Sequence, residues 1–238
     1  MIANRWRWIA AAGAMLLCGM ASAKPADIVR ADVEILPSAA PEAELRRNVS
    51  VASKSETLNR WLMIRVEYTV ARSKNAAPEY RERNGKRYLV HYGYLDDVDL
   101  EVRVLFDTGF KVNGEAVCGL FTGSVRLTAI RRDGKKHVAL MFVPGKLLDR
   151  YSQSVDGAIR RLGRGDFRVE AVFGASGREL IRAYGNISGR DAFDKAIRNV
   201  PDNLRIVGGV LPRSRTPWAL LNDDNFDLEK SLFVPERD

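Results

Sequence analysis

The chain is short of the residues on which most enzymes depend: it holds two cysteines and two histidines among 238 residues. General-base, triad and zinc chemistry draw chiefly on histidine. His91 and His137 cannot supply the four-residue spacing of a metalloprotease helix. His91 stands in a strand between Val90 and Tyr92, and His137 follows Lys135 and Lys136 beside a turn, so both read as surface or edge residues. No serine elbow occurs, because Ser176 has Gly174 two residues before it but Arg178 two residues after. A phosphate-cradling loop is absent, and Gly163 and Gly165 are followed by Arg168 where a dinucleotide fingerprint needs its third glycine. The sequence therefore assigns no catalytic, cofactor-binding or metal-ligating residue.

After its first residues the chain has no long apolar run and no internal repeat, which excludes a membrane-spanning helix and a solenoid or propeller. The apolar stretch Ile9 to Leu17 reaches about half of the ~20 residues a bilayer requires. With Arg5 and Arg7 before it and Ala21-Ser22-Ala23 after it, residues 1–23 read as a cleaved secretion signal. Cys18 follows Leu17 and so lacks the small preceding residue that lipidation wants. Removal of residues 1–23 leaves 215 residues and takes two arginines, lowering the formal charge from +8 to +6. The mature chain then keeps Cys118 alone, so no internal disulfide holds it and stability must come from a hydrophobic core. Cys118 sits in Ala116-Val117-Cys118-Gly119-Leu120-Phe121, an apolar setting that predicts a buried thiol with a raised pKa.

What the chain has in quantity is two-residue alternation. Leu62, Ile64, Val66, Tyr68 and Val70 share one face while Met63, Arg65, Glu67 and Thr69 share the other; Val98, Leu100, Val102, Val104 and Phe106 repeat the pattern. Val125, Leu127 and Ala129 lead into Asp133-Gly134, and Val138, Leu140 and Phe142 lead out, which predicts a hairpin. Two more are expected around Asn84-Gly85 and around Gly174 to Gly177. A short helix is expected within Lys146 to Ala158, and another from Ser188, where Ser188 and Asp191 form a variant capping box before Pro201 ends it. About eight antiparallel strands with one apolar face each must stack as two sheets, so the fold expected is a mainly β sandwich with two short helices. An outer-membrane barrel is the rival, but the chain ends Val234-Pro235-Glu236-Arg237-Asp238, not on a long strand. The expected organisation is a signal over 1–23, an N-terminal lead and first strand over 24–56, the sandwich over 57–200, and an extended tail over 201–238. The lead's strand is placed near Asn48 to Ala52, and Trp218, Leu220 and Leu221 are the tail's anchors.

The charged groups have ordinary readings. Asn222 to Asp227 concentrates oxygen donors, yet a calcium loop starting at Asp223 would need glycine in place of Leu228 and glutamate in place of Val234. Asp96, Asp97, Asp99 and Glu101 fit a turn followed by an outward strand face. Basic residues gather at Arg81 to Arg87, Arg131 to Lys136, Arg160 to Arg164, and Arg213 with Arg215, giving a solubilising surface or one that attracts an acidic partner. Asn48-Val49-Ser50 and Asn186-Ile187-Ser188 match glycosylation acceptors.

The stretch Leu211-Pro212-Arg213-Ser214-Arg215-Thr216-Pro217-Trp218-Ala219, with the strand text from Trp61 to Val70, resembles uncharacterised secreted proteins of mucus-dwelling verrucomicrobia linked to type IV pilus components. That resemblance implies an immunoglobulin-like sandwich and a pilus-associated role in the periplasm or at the cell surface. A cleavable signal in place of a retained assembly helix fits an accessory protein better than a pilus subunit. The expected function is non-enzymatic protein binding by a sheet edge or face. Two alternatives stand beside it: a module binding acidic mucin sugars through aromatics and arginines, and a hydrolase using Cys118 with His137.

Overall fold

The computed structural model describes residues 27–37, 61–72, 79–83, 86–91, 93–95, 97–152, 154–155, 158–159, 162–217, 219 and 228–230. Residues 1–23, the strand expected near Asn48 to Ala52, the Asn84-Gly85 turn, Trp218, Leu220, Leu221 and the run Asn222 to Asp227 lie outside them. So do the side chain of His91 and the residues Asp96, Arg160 and Arg161.

The chain runs through β1 (Ile28–Pro37), β2 (Leu62–Val70), β3 (Glu79–Arg83), β4 (Lys86–His91), β5 (Tyr94–Leu95), β6 (Val98–Val112), β7 (Glu115–Thr128), β8 (Ile130–Arg131) and β9 (Lys136–Val143). It continues through a helix α1 (Gly145–Tyr151), β10 (Ser154–Val155), β11 (Ala158–Ile159), β12 (Phe167–Ala175) and β13 (Arg178–Gly185). A second helix α2 (Arg190–Arg198) precedes β14 (Arg205–Val207), β15 (Leu211–Pro212) and β16 (Leu228–Lys230). A four-stranded sheet has the order β1-β2-β9-β15, and a six-stranded sheet has the order β13-β12-β6-β7, with β14 and β16 both on the far edge of β7. The pairings are antiparallel except β14 with β7, which is parallel.

The two sheets stack as a sandwich, not as one closed ring, and the mainly β fold with two short helices agrees with the expectation. Leu62, Ile64, Val66, Tyr68 and Val70 pack in one core with Val98, Leu100, Val102, Val104 and Phe106, so the alternation in β2 and β6 names the buried faces correctly. Full burial of such a side chain contributes about 1.5–3 kcal/mol, so this shared interior is the main stabilising element of the described fold. Each sheet also carries apolar residues on its outer face. Met63, Leu140 and Phe142 cluster on the four-stranded sheet, and Leu105, Leu120, Phe193 and Val200 cluster where α2 covers the six-stranded one.

Several local expectations need correction. Asp133-Gly134 does reverse the chain, with Gly134 at φ 74° and the Lys135 N–H donating to Asp133 Oδ1 at 2.8 Å. The strands on either side are not partners, however: β7 belongs to the six-stranded sheet and β9 pairs with β2 and β15. The turn therefore carries the chain between sheets. In β9 the buried core residues are Ala139, Met141 and Val143, one residue out of phase with the expected Val138, Leu140 and Phe142. Ser188 does not cap α2; Gly189 occupies the N-cap without a side-chain hydrogen bond. The lead carries a strand earlier than expected, since β1 pairs with β2 along Ile28–Pro37.

The two flanks close differently. On one flank β1 lies against β13, where a Cβ at Gly185 would meet Val33 and Ile35 at 3.1 Å. On the other, β14 adds to β7, the Val210 N–H donates to the Thr122 carbonyl at 3.1 Å, and β15 then pairs with Phe142 and Met141 of β9. Residues 205–212 thus cross from one sheet to the other.

Candidate interaction surface

The longest pair of strands, β6 and β7, extends beyond the body of the sandwich as a two-stranded arm. Their ladder is regular from Val98 to Asp107, shifts between Asp107 and Lys111, and resumes as Lys111 opposite Ala116 and Val112 opposite Glu115. Three hydrogen bonds build the shift. The Gly109 N–H donates to Asp107 Oδ1 at 2.8 Å, the Thr108 hydroxyl donates to the Val117 carbonyl at 2.6 Å, and the Phe110 N–H donates to Thr108 Oγ1 at 3.2 Å. Thr108 is wholly buried, so the kink is anchored inside the fold. Such an irregularity re-aims the residues beyond it. The arm ends at Asn113 and Gly114, with φ 53° and 84°, the pair of left-handed residues that a tight hairpin turn requires.

Residues 110–116 are exposed throughout. Phe110 is 49% and Val112 60% exposed, two residues apart near the tip of the ribbon. Val29 and Val207 are exposed singly and distantly in sequence, as ordinary surfaces allow. Phe110 and Val112 were not singled out by the sequence reading, although Asn113-Gly114 between alternating residues is a strong hairpin signal.

The outer face of the six-stranded sheet holds a charge network on β6, β12 and β13. Glu170 on β12 is completely buried, with Arg182 Nη1 2.5 Å from its Oε1 and Arg103 Nη1 3.4 Å from its Oε2. Arg182 also donates to both oxygens of Glu179, at 3.1 and 2.6 Å, and Arg103 donates to Glu101 at 2.7 Å. The Glu179 hydrogen bond pushes the Arg182 guanidinium still higher, and the same bond holds the Glu179 carboxyl below its usual range. Burial pushes the Tyr184 hydroxyl up. Each charge is matched by its neighbours, so the network braces β6, β12 and β13 against one another.

Other singled-out residues fall into structural places. Cys118 is partly buried in the outer cluster with Leu105, Leu120 and Phe193; desolvation pushes its thiol up, with Arg168 opposing. His137 is not a surface residue: its ring stacks on buried Tyr68 at 5.5 Å, and its Nε2 lies 3.4 Å from Asp133 Oδ1. Cys118 and His137 thus belong to different sheets and different packing environments, and the fold does not bring them together as a pair. Asp99 and Glu101, expected to be solvated, hold Arg126 and Arg103. The basic excess is partly used internally, by Arg132 with Asp27 at 2.5 Å, Lys136 with Glu67 at 3.1 Å, and buried Arg213, which donates to the Ala219 carbonyl at 2.8 Å. Asn186 spends its amide on the carbonyls of Arg164 and Phe167, at 2.7 and 3.1 Å. Among the described residues no cluster of metal-ligating side chains occurs, and no helix is long and apolar enough to cross a membrane.

The chain matches no protein-family model and no curated protein sequence. It is similar in fold to a crystal structure from Akkermansia muciniphila, with a TM-score of 0.49 and 10% sequence identity, over 84% of this chain and 94% of that one.

Proposed function

We propose that this chain is a non-enzymatic protein-binding component of the cell envelope, exported to the periplasm or cell surface, which grips its partner with the β6–β7 arm. The observation that carries the reading is the exposure of Phe110 and Val112, two residues apart near the tip of an anchored ribbon. Burying each contributes about 1.5–3 kcal/mol, and a two-stranded arm also offers free backbone edges for strand pairing. The signal-like residues 1–23 support export, and the resemblance of Leu211 to Ala219 to pilus-linked secreted proteins supports a pilus-associated accessory role.

A photo-crosslinking amino acid placed at Phe110 in the exporting organism tests this. The expected outcome is one dominant adduct with a pilus or other envelope protein, absent when the crosslinker is placed at Val207 and lost on adding Val112→Ser. Identical adducts from both positions, or none, overturn the reading. A second reading, acidic-glycan binding, rests on exposed Tyr94 paired in register with Arg131. Salt-sensitive binding of sialylated or sulfated glycans that is lost in Tyr94→Ala and kept in Phe110→Ser favours it instead.

A further inference from the structure

The tip of the arm is a dipeptide with chemistry of its own. An asparagine followed by glycine lets the next backbone nitrogen reach the side-chain carbonyl carbon, because glycine has no Cβ to crowd the approach. Asn113 and Gly114 form the turn between β6 and β7, both with left-handed backbone, and residues 110–116 are exposed. A Cβ built on Gly114 would meet nothing within 4 Å, so no neighbour packs against the peptide that must move. Beyond the shift at Asp107 the register holds Lys111 opposite Ala116 and Val112 opposite Glu115. So short a ladder opens locally while the core stays closed. Opening frees the Asn113 ψ angle and swings the Gly114 nitrogen towards the side chain.

The other described asparagines lack this combination. Asn186 is also left-handed, at φ 57°, but its amide donates to the Arg164 and Phe167 carbonyls and the β-branched Ile187 follows it. Asn199 ends α2 and precedes buried Val200, and Asn203 lies in a single helical turn before Leu204.

We propose that Asn113 is a site of spontaneous deamidation, a covalent change placed at the tip of the arm. The Gly114 nitrogen bonds to Asn113 Cγ, the bond from Cγ to the side-chain nitrogen breaks, and ammonia leaves carrying the Gly114 amide proton. A cyclic imide remains. Solvent water then opens it: the hydroxyl joins one imide carbonyl carbon, the proton joins the ring nitrogen, and the bond between those two atoms breaks. One direction of opening gives aspartate. The other gives isoaspartate, which routes the main chain through the former side chain and adds a methylene to a turn built for two α-linked residues. Either product sets a new carboxylate two residues from Glu115 and lowers the net charge by one. The consequence for binding rests on the arm reading: the intact turn presents Phe110 and Val112, and the isoaspartyl turn breaks that presentation.

Ageing the folded chain at neutral and at alkaline pH, followed by peptide mapping by mass spectrometry, tests the chemistry. Conversion at Asn113 is expected to run ahead of Asn186, Asn199 and Asn203 and to quicken at the higher pH. The two hydrogen bonds at Asn186 alone set its lag at about tenfold or more. Asn84-Gly85, outside the described residues, is read from a separate peptide. Hydrogen exchange of the aged chain is expected to speed up from Phe110 to Ala116 and to stay unchanged in β12. Asn113→Gly cannot deamidate yet keeps a pair that suits the turn, so its aged chain is expected to keep the fresh pattern. An unmodified Asn113, a rate there no greater than at Asn186, or an aged arm that exchanges like a fresh one overturns the proposal. A fresh chain giving no adduct from a crosslinker at Phe110 sinks the arm's binding role instead and leaves the reaction at Asn113 standing.

Discussion

Glu170 and Arg182, on neighbouring strands of the six-stranded sheet, form an ion pair of 2.5 Å in which the carboxylate has no solvent-exposed surface. The pair is unequal. Arg182 retains Glu179 when Glu170 is neutralised, whereas Glu170 keeps Arg103 at 3.4 Å and the neighbouring Tyr184, neither of which replaces the close Arg182 contact, when Arg182 is lost. Glu170→Gln is expected to cost about 1.5–3 kcal/mol, the range of hydrogen bonds to charged groups. Arg182→Gln is expected to cost about 3–5 kcal/mol, because it strands a buried charge. Urea denaturation of the two variants checks the order; equal losses would show that the carboxylate is not the dominant group.

Acid sensitivity follows from Glu179, whose carboxyl is held below its usual range first by the Arg182 hydrogen bond. A folded-state pKa below the unfolded one stabilises above about pH 4.3, and that contribution disappears as pH falls through the depressed value. Glu179 is 40% exposed, so screening limits the effect to about 0.2–1 kcal/mol. The stability difference between the parent chain and Glu179→Gln, measured from pH 7 to pH 2, is expected to shrink towards zero at the acid end. A difference that persists there would assign the loss to packing.

Gly123 allows the C-terminal segment to cross β7. A Cβ at this position would lie 1.9 Å from the Val210 carbonyl oxygen, a backbone atom that cannot rotate away. Gly123→Ala is expected to destabilise the fold by about 1–3 kcal/mol and to loosen the crossing from β14 to β15 before the core opens. Hydrogen exchange should show faster amide exchange at Ile206, Val207 and Val210 while β6 and β12 stay protected. Unchanged exchange there would mean that the segment shifts without releasing its bonds.

Much of the sandwich was legible where one face is apolar and the other charged. Arg65 and Glu67 set the phase of β2, and Glu101 and Arg103 set that of β6. The phase of β9 was not legible, since Val138 to Val143 is apolar at every position and both of its faces are covered, so alternation has nothing to choose between. Asp133-Gly134 announces a reversal but not a partner; which sheet receives the next strand depends on β2, more than sixty residues earlier. Glu170 reads as an ordinary outward carboxylate, because its burial arises from Arg103 and Arg182 arriving through strand register. The arm was missed although Asn113-Gly114 marks its tip, because exposure of Phe110 depends on the local shift anchored by Thr108.

The crossing of residues 205–212 between the sheets also separates local pairings from distant ones. β6 and β7 can zip together as soon as both are available, since a two-residue turn joins them. In the four-stranded sheet β1 and β2 are joined by a longer connection, β2 gains its second neighbour only with β9, and β9 gains its outer neighbour only with Leu211 and Pro212. The sandwich therefore stays incomplete until residues near 205–212 are available, so its closure depends on contacts distant in sequence.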